Sequence, residues 1–406
     1  MIKEMNRNMS YNQPVLNSIH PKGIHQLEKK RIKSEQISKI ASSHYYAYES
    51  TSIEQISEEM IADDRIKSIA IVDNNNNVKG IIIRNQLMDL LGMPFGRDLF
   101  LRKPAIDAAI PVKRFFEDQN IFTIAQNINL SDQNYETIFY AITDYNGQFN
   151  GLFSNRDIMI YLSSITQNDL REAQKIQSLI VKDISEMEND FLRITGSSKM
   201  AKGLGGDYYT VKKISDDKWI MILCDVSGKG VSASLLSVTL GGMIALYDFS
   251  RGLKPLIESV NNYVCTSFEP GKFLTGIFAE YNQTTGDLEI FDMGHSYSYI
   301  YRNSKCLRIE TPEMNIPLGI DIDLYPESKK IKLKPNEMYI AFSDGIEEQS
   351  DGSNQEYGVS RFLNVLIKNS QKPVERLQKE VFADINNFSN QYTSDDMTFL
   401  FLERRL

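Results

Sequence analysis

Three cysteines in 406 residues, Cys224, Cys265 and Cys306, are too few and too widely spaced for a disulfide framework, and their number is odd. Such usage points to a reducing compartment. None has an arginine six positions on, because Gly230, Gly271 and Pro312 stand there, so a cysteine-phosphatase loop is excluded. No stretch approaches the roughly 20 apolar residues that cross a bilayer. The N-terminus, MIKEMNRNMSYNQPVLNSIHPKG, lacks the apolar core of a signal peptide. Positive charge is in deficit, with 45 Lys and Arg against 53 Asp and Glu and a net charge of −8. That balance argues against undirected affinity for nucleic acid or anionic membrane. A P-loop is missing too, since Leu223 stands five before Gly228 and Gly-x4-Gly-Lys is not formed. The expectation is a cytoplasmic protein with no membrane and no nucleic acid as partner.

What is present is globular: 42% hydrophobic and 10% aromatic residues, in a chain long enough for two domains. Residues 1–44 read as a polar extension, helical from His25 to Tyr46, whose basic cluster Lys29, Lys30, Arg31 and Lys33 reads as a solvated face. Residues 45–165 contain an imperfect duplication. Ser68–Asp73 is a strand, the following asparagines a turn, Val78–Ile83 a strand and Asn85–Gly92 a helix; the pattern returns as Ile138–Asp144, Tyr-Asn-Gly, Gln148–Phe153 and Arg156–Ser163. Residues 166–190 read as a helical linker, with Leu170, Ala173, Ile176, Gln177, Ile180, Val181 and Ile184 on one face of a helix from Thr166 to Glu188. Residues 191–406 form the last domain.

Within that domain, GGDYYTVKKISDDKWIMILCDVSGKG places Asp207 after two glycines and Asp225 eighteen residues later, behind the apolar run Trp219–Cys224. Hairpin-connected strands bring such positions together, and clustered carboxylates are tolerated mainly where a hard cation offsets their repulsion. Taken singly, each Gly-Asp pair is an ordinary turn. Two more strand ends, Asp344-Gly345 and Asp395-Asp396, carry acids in the same half. Their joint occurrence points to a divalent-metal site.

The ordered set GGDYY, DVSGKGVSASLL, FLTGIFAEYNQTTGDLEIFDMGHSYSYIYR, IPLGI, FSDGIEEQSD and SDDMTFLFL resembles the metal-dependent PPM (PP2C-like) protein serine/threonine phosphatases of the SpoIIE/RsbU branch. The likeness runs from about Ile176 to Leu402, departing at Thr210, where many relatives have Asp, and at Met293, where Ala is usual. It implies an α/β (α+β) fold whose C-terminal domain is an α-β-β-α sandwich, and two Mn²⁺ or Mg²⁺ ions. Asp225 would bridge the ions; Asp207, Asp344 and Asp395 would supply the other carboxylates and Val226 a backbone carbonyl, with Asp396 as an outer residue or a ligand of a further ion. Lys199 or Lys229 would contact substrate phosphate. The helix after Gly230 would be a buried switch element between two sheets, coupled to the linker through homodimer packing. His295 reads as a satisfied imidazole, and only secondarily as a proton donor. The substrate would be a phosphorylated regulatory protein, such as a STAS-type anti-sigma-factor antagonist. The competing reading from another class is a catalytically idle phosphatase fold that binds a partner; retention of all four acids speaks against it. A diguanylate cyclase, suggested by GGDYY, leaves DVSGKG, FSDG and SDDMT unexplained.

The duplicated N-terminal segment is similar to a tandem CBS-domain pair. That likeness implies an adenine nucleotide between the repeats, held by Asp89 and Asp157 on the helices that follow each second strand, with the helix N-terminus near Arg156 meeting a phosphate. The bland alternative is that both acids are caps and surface groups in a module that only dimerises.

Overall fold

Short β-branched runs closed by aspartate turns build the N-terminal half. In the computed structural model, which describes residues 23–28, 35–128, 137–181, 184–201 and 203–406, the chain divides into one unit up to Gln167 and a second from Asn168. The first unit holds β1 (His25–Gln26), β2 (Tyr45–Tyr48), α1 (Ile53–Ala62), β3 (Ser68–Val72), β4 (Val78–Ile83), α2 (Arg84–Gly92), α3 (Gly96–Phe100), β5 (Arg114–Phe116), α4 (Ile121–Asn127), β6 (Phe139–Thr143) and β7 (Phe149–Ser154). The helix α5 (Asn155–Ile180) follows.

Two copies of strand, helix, hairpin and helix are evident. β2 lies parallel to β3 and β5 parallel to β6, while β3–β4 and β6–β7 are antiparallel hairpins. Each hairpin turns on an aspartate whose carboxylate accepts two backbone N–H groups: Asp73 from Asn75 and Asn77, Asp144 from Asn146 and Gln148. Alternate strand residues then face different cores. Ile69 and Ile71 pack with Ile53, Ile56 and Met60 of α1, whereas Ala70 and Val72 meet Ala141 and Leu152 of the second copy. The helix expected from His25 to Tyr46 is not formed: its described parts are β1, a 3₁₀ turn at Ile37–Ile40 and β2. Tyr45, Tyr46 and Tyr48 suit a pleated surface, and β3 supplies the partner edge. The Lys29–Lys33 cluster lies outside the described residues.

The second unit continues with β8 (Ile184–Glu188), β9 (Leu192–Lys199), β10 (Tyr208–Lys213), β11 (Lys218–Val226), α6 (Val231–Leu246), α7 (Leu253–Ser267), β12 (Leu274–Asn282), β13 (Asp287–Met293), β14 (Ser298–Arg302), β15 (Lys305–Arg308), β16 (Lys329–Lys332), β17 (Met338–Phe342), α8 (Asp344–Glu347), α9 (Val359–Asn369), α10 (Val374–Phe388) and β18 (Met397–Arg404). One sheet has the order β10-β11-β12-β13-β16, the other β15-β14-β17-β18-β9-β8. The two-residue side-chain period sorts β11 between layers. Trp219, Met221 and Leu223 fill the core between the sheets with Tyr339, Ala341, Leu400 and Leu402, while Ile220, Ile222 and Cys224 face α6 and α7. Ile340, Phe342, Phe399 and Phe401 turn the other way, onto α9 and α10. The result is an α-β-β-α sandwich.

Two expectations change. α6 lies on the outer face of the first sheet, not between sheets: Ala233, Leu236, Leu240 and Ile244 are buried there, and Val231, Leu235 and Leu246 are exposed. The linker helix starts earlier and stops sooner than expected, at Ile180, and residues 184–188 are a strand paired with β9. An apolar spacing read past Ile180 as helical is there satisfied by a sheet edge.

Candidate active site

The register of two antiparallel pairs delivers the acids. Tyr208 pairs with Cys224, so Asp207 and Asp225 face each other just beyond, where β10 begins and β11 nears its end. In the other sheet Phe342 pairs with Phe399, which sets Asp344, the first residue of α8, beside the turn carrying Asp395. The four carboxylates expected from sequence therefore come from four strand ends at one end of the sandwich. Among the described residues, no three Asp, Glu, His or Cys side chains are already drawn tightly enough together to cage an ion.

Electrostatics separates Asp207 and Asp225 from ordinary turn aspartates. Asp207 is 1% exposed. Its Oδ2 accepts the hydroxyls of Ser343 at 2.8 Å and Thr398 at 2.5 Å. Burial, then the charge of Asp396, raises its pKa well above the usual carboxylate range despite those two bonds. Asp225 is pushed up further, first by burial and then by the charges of Asp207, Asp344 and Asp395; it shares a hydrogen bond with the Asp344 carboxyl. A carboxyl whose polar partner is another carboxyl needs a proton or a cation. An oxygen donor set of this kind suits a hard divalent ion, so the residues present fit Mn²⁺ or Mg²⁺.

Glycine is required at two positions around this cluster. A Cβ at Gly206 would sit 2.8 Å from the carbonyl oxygen of Val226, and one at Gly345 would sit 2.0 Å from that of Asp396. Asp396 is a clamp: its carboxylate accepts the backbone N–H groups of Ala201 and Gly206, each at 2.7 Å, and so ties the β9–β10 loop to the start of β18. Lys229 reaches the rim, its Nζ 2.8 Å from Asp395 and 2.9 Å from the Ser394 carbonyl. Lys199 does not join it, because its ammonium donates to Asn386 of α10 at 2.8 Å. His295 is buried with both ring nitrogens engaged, 2.8 Å from the Thr275 hydroxyl and 2.9 Å from the Phe342 carbonyl. Because a carbonyl only accepts, Nε2 carries the proton and Nδ1 accepts from Thr275. Burial lowers its pKa, and the ring is a neutral strut.

One functional contact was not singled out from sequence. Gln177 of α5, 2% exposed, donates Nε2–H to the Gly205 carbonyl at 2.6 Å, and its Oε1 accepts the Gly205 N–H at 3.1 Å. Ser237 of α6 adds a hydroxyl that donates to the Asp207 carbonyl. The signal was a polar residue inside an apolar helical stripe.

In the N-terminal unit a cavity of about 770 Å³ is lined by Arg65, Lys67, Gln86, Arg156 and Asp157, among others. Asp157 accepts from the Ser42 hydroxyl at 2.8 Å and from the Ser154 hydroxyl and backbone N–H at 2.7 Å each. Asp89 is exposed and does not line this cavity. It is the sixth residue of α2, whereas the third, Gln86, holds the place that Asp157 has in α5.

The sequence model of the family described as Stage II sporulation protein E (SpoIIE) matches residues 215–405, and that of the CBS domain matches residues 37–92. The phosphoserine phosphatase RsbU of Bacillus subtilis is 23% identical over 222 residues, 54% of this chain and 65% of that protein. RsbP of the same organism, also a phosphoserine phosphatase, is 20% identical over 59% of this chain and 58% of its own length. The chain thus spans about three fifths of these relatives. Among solved structures, the SiaA-PP2C domain of Pseudomonas aeruginosa superposes with a TM-score of 0.51 at 14% identity, over 60% of this chain and 98% of that domain.

Proposed function

Since the chain carries a SpoIIE-family, PP2C-type domain behind a CBS domain, we propose that it is a metal-dependent protein serine/threonine phosphatase of bacterial cytoplasmic signalling. The observation that carries this reading is the convergence of Asp207, Asp225, Asp344 and Asp395, with Asp225 protonated or cation-bound because burial and three neighbouring acids disfavour its bare charge. These four carboxylates and the Val226 carbonyl are the residues that would hold two Mn²⁺ or Mg²⁺ ions. Ions held there would lower the pKa of a bound water and offset charge developing on the phosphoryl oxygens.

The chain's own residues do the rest. Ser343 and Thr398 hold Asp207 in one orientation, and Asp396 fixes the loop that precedes it. Lys229, half-exposed on the rim, is a cation available to meet an incoming phosphoryl oxygen once Asp395 is otherwise engaged. The substrate is a phosphoserine or phosphothreonine on a regulatory protein, with a STAS-type anti-sigma-factor antagonist as the leading candidate by family likeness. Wild-type protein should hydrolyse p-nitrophenyl phosphate and a phosphoserine protein only with Mn²⁺ or Mg²⁺, and Asp225→Asn should retain the phosphoprotein in a pull-down. Absence of turnover with both ions would overturn the reading.

Regulation by the N-terminal unit belongs to the same proposal. Lys67 and Arg156 offer positive charge, and Asp157 an acceptor for ribose hydroxyls, in a cavity sized for an adenine nucleotide. The Gln177 clasp on Gly205 is the physical route by which α5 sets the turn before Asp207. Ile176 and Leu179, 57% and 67% exposed on the same helix, suit a homodimer contact. Calorimetry of the full chain with ATP, ADP and AMP tests the nucleotide; no heat with any of them leaves the module a dimerisation element.

A further inference from the structure

A second cavity, of about 310 Å³, opens beside the acid cluster and shares Asp344 with it. Its walls are stiff. Tyr299 stacks on Phe342 with ring centroids 5.5 Å apart and planes at 18°, and Tyr297 packs on the same ring at 5.2 Å. Phe342 is the last residue of β17, two before Asp344, so one aromatic side chain braces both the cavity wall and the strand that delivers the acid. Arg308 forms the outer lip. It sits across from Tyr299 in the β14–β15 pair, and its Nε donates to the Ser296 carbonyl at 3.0 Å. That bond anchors the guanidinium at Nε and commits one of its five N–H groups.

Charge makes this arginine informative. The other carboxylate on this wall, Glu347, shares a hydrogen bond with the Tyr297 hydroxyl, and no ion pair to Arg308 occurs among the described residues. A guanidinium held by a backbone carbonyl, with its outer N–H groups uncommitted, is suited to bidentate recognition of an oxyanion. It lies on a cavity that leads to the reacting centre. Resting on the phosphatase reading, we propose that this cavity is a substrate subsite in which Arg308 recognises an oxyanion of the phosphoprotein. The oxyanion is either the phosphoryl group itself or the carboxylate of an acidic residue flanking it. Tyr297 and Tyr299 form the apolar floor along which the adjoining backbone lies.

The test uses the full-length protein with Mn²⁺, comparing wild type, Arg308→Ala and Arg308→Lys. The substrates are p-nitrophenyl phosphate, a phosphoserine peptide with neutral flanks, and the same peptide with Asp and Glu flanks. Loss of a charge-assisted pair should raise KM for Arg308→Ala by about tenfold or more, with a smaller change in kcat. A rise on all three substrates identifies the phosphoryl group as the anion; a rise on the acid-flanked peptide alone identifies the flank. Arg308→Lys keeps the charge without the fork and should recover part of the loss. Such recovery, and dependence on flank charge, would not follow from a merely structural role. KM unchanged on every substrate overturns the subsite. Binding of a non-hydrolysable phosphonate analogue of the acid-flanked peptide separates this from the enzymatic reading. Binding that weakens about tenfold in Arg308→Ala, in a protein that hydrolyses nothing, would sink the phosphatase and keep the subsite. No binding, or equal binding by the two proteins, overturns the subsite whatever the turnover.

Discussion

The two halves of the molecule hold their aspartates in opposite ways. Asp73 turns a hairpin, and its carboxylate is pulled below its usual pKa by the backbone N–H and side chain of Asn77, with Lys79 alongside. Asp63 is lowered to about 2 by the guanidinium of Arg65, which it meets at 2.7 Å. Asp207 and Asp225 stand at equally turn-like places in their own strands, yet both are raised, by burial first and then by neighbouring acids: Asp396 and Asp344 act on Asp207, and Asp207, Asp344 and Asp395 on Asp225. An aspartate that accepts backbone N–H groups is finished when the turn is made. One that is buried among other acids still lacks a positive partner, and this difference separates a scaffold turn from a candidate cation site.

The largest effect should come from making the same substitution in each half. Asp225→Asn or Asp344→Asn removes a carboxylate from the cluster and should lower Mn²⁺-dependent turnover by more than the roughly 10- to 100-fold typical of outer residues of metal sites. Asp73→Asn keeps an acceptor for Asn75 and Asn77 and should leave kcat and KM unchanged, with only a shift in melting temperature. Steady-state kinetics and thermal melts on the three variants check this. Near-normal turnover by Asp225→Asn at saturating Mn²⁺ would erase the contrast between the halves.

A smaller effect is expected one step away from the acids. Gln177→Leu preserves volume but leaves the buried N–H and C=O of Gly205 unpaired, each at a cost of about 1–3 kcal/mol. Because Gly205 precedes the Asp207 turn, part of that cost should appear as weaker Mn²⁺ binding and about tenfold lower kcat. Ile176→Glu, on the exposed side of the same helix, should instead alter association state, seen by sedimentation, at little cost to the metal site. If Gln177→Leu binds Mn²⁺ like wild type, α5 is a tether and the regulatory route fails.

Asp207, Asp225, Asp344 and Asp395 were legible in the sequence because each is local: an apolar strand, a glycine or acidic turn, and antiparallel pairing bring them together without long-range knowledge. What pairs with them was not. Asp396 clamps Gly206 across 190 residues, and Ser343 reaches Asp207 across 136; no periodicity encodes such distances. The sequence points to Asp89 by the helix that carries it, whereas the third helical position, which Asp157 holds in α5, belongs in α2 to Gln86. The sequence predicts a helix through Glu188 because apolar spacing beyond Ile180 fits two periods, and only the edge of β9 decides between them. Arg308 had no signal at all, since its meaning lies in having no ion-pair partner among the described residues.

The effect that moves turnover least, and the one that bears most directly on the contrast, is the pH dependence of stability without metal. A carboxyl raised in the folded state contributes stability that is fully present below its unfolded pKa, near 4, and is lost as pH rises through the folded value. Asp207 and Asp225 are of this kind. Asp63 and Asp73 are the reverse: their contribution is present above pH 4 or so and is lost only as pH falls towards their lowered values. Between pH 5 and pH 8 the N-terminal unit should therefore be insensitive to its aspartates, while the metal-free C-terminal unit weakens as pH rises. The limit is about 1.4 kcal/mol per pH unit for each group still protonated in the fold and ionised when unfolded. Asp225→Asn should flatten that decline by removing one such group, and saturating Mn²⁺ should reverse it, because cations hold both carboxylates in the charged form. Calorimetric scans of full-length protein in chelator and in Mn²⁺, at four pH values across this range, measure all three slopes. A chelated C-terminal transition that stays level or rises with pH, with Asp225→Asn parallel to wild type, would mean that these acids carry no unmet charge and that the cation assignment has lost its physical basis.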